Sequence, residues 1–191
     1  MPTGCSIIST VRRTGTTVLS RHRPGTEAWL KSSGGAPGST WSSPAPFDLS
    51  RTLGEALLTP TRLYVRSCLA AIRQTKAVKA LAHITGGGFV DNIPRVLPEG
   101  FAVALDLDRV PVLPVFKWLA ASGKITEAEM LRTFNCGIGM VVVLDPAGAK
   151  AASECFSAHG ETVVQLGEIV AAKHGARVAF RGHLDLAWPS A

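Results

Sequence analysis

Cysteine is scarce in this chain: Cys5, Cys68, Cys136 and Cys155 stand far apart, and no two form a C-x-x-C pair. Such spacing argues against a zinc site and reads as buried or free thiols in a reducing compartment rather than as disulfides. No apolar run approaches the ~20 residues that a membrane span requires, so no membrane partner is expected. Aromatic residues are only 6% of the chain. A nucleic-acid surface wants a basic face interleaved with stacking rings, so no nucleic-acid partner is expected either. Also missing are the Gly-Lys-Ser/Thr ending of a P-loop and the spaced glycines of a dinucleotide fingerprint. There is no internal repeat, and no Ser-His-Asp arrangement can be argued.

What remains suits a globular protein. With 191 residues, 46% hydrophobic and 18% charged, the chain is long enough to bury a core without cross-links. The formal charge of +6 belongs mainly to the first 51 residues, where Arg12, Arg13, Arg21, Arg23, Lys31 and Arg51 face only Glu27 and Asp48. The acid-free, Arg/Ser/Thr-rich start has two readings. It resembles an organellar transit peptide, or it is a short first helix with Ile7, Ile8, Val11, Val18 and Leu19 on one face and Arg12 and Arg13 in solvent. Residues 31–46 are rich in Gly, Ser and Pro and form a loop. The chain therefore divides into a basic N-terminal segment, 1–46, and a folded body, 47–191.

In the body, Thr52 and Glu55 form a capping box ahead of a helical turn that Pro60 stops. Residues 61–72 are apolar on several faces and predict a largely buried helix. Strands are expected at 78–84, 101–107, 137–144, 163–170 and 177–180. A helix between Pro111 and Gly123 is expected to end with the glycine at its C′ position. Thr126 and Glu129 mark the next as a second capping box, with Ile125 and Met130 as its staple. Asp145-Pro146 supplies an N-cap and an N1 proline for a helix running to Ala158. Together these give an α/β fold in which a mixed β-sheet is layered with helices.

The candidate site is the run Ala82-His83-Ile84-Thr85-Gly86-Gly87-Gly88, a strand that empties into three glycines. Bare backbone there can face an anion, because no Cβ intervenes and φ > 0 is open. Each side chain nearby has a structural alternative. His83 is either a satisfied core residue or faces substrate. Thr85 caps the turn or reaches phosphate; Asn92 bonds the turn backbone or a ligand; Arg62 sits in an ion pair or meets phosphate. Asp106 and Asp108 read as a solvated strand end rather than a metal site, and Asn135 and Cys136 read as structural.

Several runs in one order resemble the C-terminal half of phosphoribosylformylglycinamidine cyclo-ligase, the aminoimidazole ribonucleotide synthetase family. They are Ser43-Pro44-Ala45-Pro46-Phe47-Asp48, Thr52 through Arg62, Ala82 through Gly88, Asn92 through Pro98, and Arg132-Thr133-Phe134-Asn135-Cys136-Gly137-Ile138-Gly139. The resemblance spans roughly residues 41–188 and implies the α/β fold of that domain. It also implies an ATP- and Mg2+-dependent ring closure in purine synthesis, from formylglycinamidine ribonucleotide to aminoimidazole ribonucleotide. His83 would then be catalytic, with Thr85, Gly86, Gly87, Gly88, Arg62 and Asn92 on substrate or phosphate, and no metal ligand in this chain. Family members are about twice as long, and their N-terminal half supplies much of the nucleotide and metal site. The expected partners are therefore the ribonucleotide and that missing half, or self-association in its place. The family's Leu-His-Ser-Asn-Gly stretch is unmatched at Pro2-Thr3-Gly4-Cys5-Ser6-Ile7. A cytoplasmic location is implied, with an organelle as the alternative if residues 1–26 are a transit peptide.

Overall fold

The computed structural model describes residues 4–11, 40–172 and 177–189. Its centre is a six-stranded mixed sheet in the order β4-β6-β1-β7-β5-β8. These strands are β1 (Ser6–Val11), β4 (Val78–His83), β5 (Phe101–Asp106), β6 (Ile138–Leu144), β7 (Thr162–Ala171) and β8 (Val178–Arg181). All pairings are antiparallel except β5 with β8. A separate hairpin joins β2 (Pro44–Ala45) to β3 (Asp48–Thr52). The helices are α1 (Leu53–Leu57), α2 (Val65–Thr75), α3 (Gly88–Asn92), α4 (Pro114–Gly123), α5 (Glu127–Thr133) and α6 (Ala149–Ala158).

The expected α/β class and all five strands of the body are present. β6 is apolar without alternation, and every one of its residues is buried. That is what a strand covered on both faces requires. Its side chains divide between two cores. Val141 and Val143 join Ile7, Val103, Leu105, Leu166 and Phe116 on one face. Met140, Val142 and Leu144 join Ile8, Cys68, Ala71, Ala152 and Phe156 on the other, under α2 and α6.

Several expectations are corrected. The helix placed through Ile7, Ile8 and Val11 is a strand, β1, paired on both sides by β6 and β7. Ile7 and Ile8 are buried on opposite faces of the sheet, an arrangement that a helix cannot give adjacent residues. Val18 and Leu19 lie outside the described residues. Residues before the Gly/Ser/Pro-rich segment thus share one sheet with the residues after it.

Helix α2 begins at Val65, not Thr61, and it is not buried all round. Ser67, Cys68 and Ala71 face inward, while Val65 is 63% exposed and Leu69 and Ile72 are also in solvent. Its neighbours cover a single stripe. In α4 the left-handed residue is Lys124, with φ of 48°, rather than Gly123. The Lys124 turn swings Ile125 back so that its N–H bonds Ala120 O at 2.9 Å. The second capping box is half made: Thr126 Oγ1 accepts from Glu129 N, but the Glu129 carboxylate accepts from Thr133 Oγ1 instead of turning back. The first box, Thr52 with Glu55, is complete.

Candidate functional site

At the end of edge strand β4, Ile84 N bonds Gly139 O at 2.9 Å, which is the last tie to β6. Thr85 then leaves the sheet and the three glycines turn the chain into α3. Gly88 N closes this turn onto Thr85 O at 3.0 Å. Gly87 and Gly88 have φ of 97° and 55°, in the left-handed region that glycine tolerates. At Gly88 there is also no room, since a β-carbon would overlap the Leu131 carbonyl oxygen. Gly86 is under neither constraint: its φ is ordinary and nothing lies within 4 Å of where a β-carbon would stand.

Asn92, at the end of α3 and buried, resolves its two readings toward the turn backbone. Its Nδ2 donates to Gly88 O at 2.8 Å and lies 3.3 Å from both Thr85 O and Gly86 O. The loop's carbonyls are thereby drawn inward. The N–H groups of Thr85, Gly86 and Gly87 have no partner among the described residues, and Thr85 and Gly86 are exposed. Backbone donors without a protein acceptor, free of side-chain cover, suit an oxyanion. One feature opposes this: the Asp91 carboxylate lies directly beside Gly87. Among the described residues, Thr85 Oγ1 makes only a long 3.5 Å contact to Asn92 Oδ1.

His83 is exposed at the end of β4, and its imidazole makes no hydrogen bond among the described residues. It is not a satisfied core histidine. The Tyr64 ring meets it edge-on, with centroids 5.8 Å apart and planes at 66°.

Arg62 does not join this group. Its guanidinium binds Glu161, with Nε 3.0 Å from Oε2 and 3.2 Å from Oε1, and Nη2 donates to Gly160 O at 3.0 Å. The Nε hydrogen points at Oε1, so Oε2 has the charge contact but no hydrogen bond. Ser67 Oγ also lies 3.0 Å from Oε1. Glu161 begins the β7 side of the sheet, three strands from β4. At the usual strand spacing β7 lies about 14 Å from β4. Sequence reasoning missed Tyr64 and Glu161, for their partners are remote in the chain and no local pattern marks them.

The other candidates are structural. Asp106 holds Arg109 and Arg181, each at 3.1 Å, and Asp108 Oδ1 accepts from His183 N. Asn135 Oδ1 accepts from Gly137 N at the start of β6. Burial pushes the Cys136 thiol up to about 12, with the Glu127 charge adding to it. Among the described residues, no group of three His, Cys, Asp or Glu is placed to hold a metal ion, and no helix is long and apolar enough to cross a membrane.

Two solved structures share this fold over nearly the whole chain. The protein tt0281 from Thermus thermophilus matches with a TM-score of 0.57 and 19% identity, over 96% of this chain and 51% of its own. Thiamine-monophosphate kinase from Stenotrophomonas maltophilia matches with a TM-score of 0.57 and 12% identity, over 95% of this chain and 51% of its own. The chain thus spans about half the length of the structures it matches. The family described as "AIR synthase related protein, C-terminal domain" matches residues 18–179, and the chain belongs to that family.

Proposed function

We propose that the chain is the C-terminal part of an ATP-dependent cyclo-ligase that converts formylglycinamidine ribonucleotide to aminoimidazole ribonucleotide. The observation that carries the proposal is the Ala82-to-Gly88 run. It resembles that enzyme's sequence, and it carries an exposed imidazole followed by three backbone N–H groups without a partner among the described residues. The reaction moves the γ-phosphoryl group of ATP onto the formamide oxygen, releasing ADP. The amidine nitrogen of the same molecule then attacks the formamide carbon, closing the ring as the phosphorylated oxygen leaves as phosphate. Such chemistry depends on positioning and on donors aimed at phosphate, more than on a protein nucleophile. Thr85, Gly86 and Gly87 would offer their N–H groups to a phosphate of the nucleotide or ribonucleotide, and His83 would face the reacting end of the substrate.

The fit to ATP extends to phosphate only, through that loop. The described residues offer no Mg2+ ligand set, so the proposal places no metal ligand here and derives no step through the ion. The remaining site would come from a second polypeptide segment or a second copy. One of the fold relatives is a kinase by name. That supports a phosphate-facing site without favouring either substrate.

A second reading is favoured by the placement of Arg62 and Asn92. Both are committed to internal bonds, so neither expected ligand is free for phosphate, and the cation beside the loop is Arg95, whose Nη1 lies 3.5 Å from Asn92 Oδ1. On this reading the chain binds a phosphate ligand or a partner and performs no catalysis.

The test combines the chain with a separately expressed N-terminal half of a cyclo-ligase, ATP, Mg2+ and formylglycinamidine ribonucleotide. Turnover that depends on both polypeptides is expected. Ligand binding by calorimetry without turnover would leave the second reading in place, and neither binding nor turnover would sink both.

A further inference from the structure

We infer that Tyr64 is the positioning residue for His83, and that its aromatic ring, seated on Gly139, fixes the direction in which the imidazole points. The inference rests on the reading of His83 as a group facing substrate.

An exposed histidine at the end of an edge strand ordinarily samples several rotamers. His83 has no hydrogen bond to hold one among the described residues, so the edge-on Tyr64 ring is the contact that orients it. The geometry is the edge-to-face arrangement that ring quadrupoles prefer at centroid separations of ~4.5–7 Å.

Tyr64 itself is unusually well fixed for a residue just outside a helix, and only 7% of it is exposed. A β-carbon on residue 139 would overlap its hydroxyl, so the ring reaches its place only because that position is glycine. Gly139 O in turn receives the Ile84 N–H, which places the seat of the ring and the end of the histidine's strand on one residue. On the other side, Cys68 N donates to Tyr64 O at 2.9 Å and Ser67 Oγ lies 3.1 Å from it. Glu161 holds Arg62 and Ser67, which flank Tyr64 in the chain, so the buried carboxylate acts on His83 through Tyr64.

The experiment uses the full chain, with the His83 Hδ2 and Hε1 resonances assigned by loss in His83→Gln. In Tyr64→Leu these signals should move to the positions of a freely exposed histidine. With the N-terminal half supplied in trans, kcat should fall about tenfold to a hundredfold while KM stays within about twofold, the expected effect of ~1 Å misplacement. Tyr64→Phe keeps the ring and should restore both the signals and kcat. If Tyr64→Leu does not fold, Gly139→Ala replaces it, because it keeps the tyrosine but removes its seat. The same displacement of the His83 signals is then expected.

Unmoved His83 signals in whichever variant folds, or a Tyr64→Phe chain as impaired as Tyr64→Leu, would overturn the inference. Its failure is separable from that of the functional reading. Should His83→Gln leave turnover intact, the role of His83 is lost, while the resonance positions alone still decide whether Tyr64 orients it.

Discussion

Arg62 and Glu161, 99 residues apart in sequence, share an ion pair whose two ends differ sharply in exposure. The Arg62 side chain is 31% exposed and that of Glu161 only 2%. Removing the arginine therefore strands a buried carboxylate, whereas removing the carboxylate frees an arginine that water already reaches. Breaking a buried pair costs ~3–5 kcal/mol. The open side of Arg62 places Arg62→Ala at or just below the bottom of that range, about 2–3 kcal/mol. Adding Glu161→Gln should recover much of that loss in urea unfolding. A double variant no more stable than Arg62→Ala would show that the stranded charge is not the cause.

The three glycines should respond unequally. Gly88→Ala forces a side chain into the left-handed region and onto the Leu131 carbonyl, and should cost more than ~2 kcal/mol. Gly86→Ala meets nothing and should stay within ~0.5 kcal/mol of the parent in thermal or urea unfolding. Any loss of phosphate-ligand affinity in Gly86→Ala would then report on the ligand alone. Unchanged affinity in that variant and in Gly86→Val would count against the loop as the phosphate site.

Asp91 presents a like charge to any anion at Gly87. Two unit charges ~4 Å apart interact by about 1 kcal/mol in water-like surroundings. Asp91→Asn should therefore tighten ADP or inorganic phosphate binding about fivefold at low salt, and less at high salt. Calorimetry at two ionic strengths reads both effects. Weaker binding in the variant would place the anion elsewhere, or bridge it to Asp91 through a cation.

How far the chain can be read from its sequence depends on where each residue's partner lies. The Thr52–Glu55 box and the β6 run are local patterns, and both are present as written. The glycine turn is legible as a turn, but the reason for Gly88 is not, because the obstructing atom belongs to Leu131. Gly139 gives no signal for the same reason, its neighbour being the Tyr64 hydroxyl. Ile7 and Ile8 mislead because two adjacent apolar residues are consistent with either period, and their sheet partners lie more than a hundred residues away. Arg62 fits both phosphate and carboxylate, and nothing near it in sequence selects Glu161.

Cys136 supplies a pH prediction. Its thiol stays protonated in the fold until about 12, while an unfolded thiol ionises near 9.0. A raised folded value means the contribution to stability is intact below pH 9 and is lost as pH climbs from there toward 12. By about pH 10 the loss is about 1.4 kcal/mol. The difference in urea midpoint between the parent and Cys136→Ala should shift in favour of the variant between about pH 8 and 10. The native thiol should also resist alkylation at about pH 8, and prompt labelling there would contradict its burial.

Strand β1 sets the order in which this molecule can be assembled. It is the earliest of the described strands to be made on the ribosome, yet both of its neighbours come late: Ser6 lies opposite Leu144 on one side and Glu168 on the other. Until residue 144 has been synthesised, the apolar Ile7-Ile8 pair has neither edge satisfied, and the middle of the sheet is empty. Closure over so long a stretch of chain is the kind that slows folding most. The centre of this fold therefore waits for β7, with only the edge strand β8 still to follow, and the nascent chain must keep β1 soluble until then.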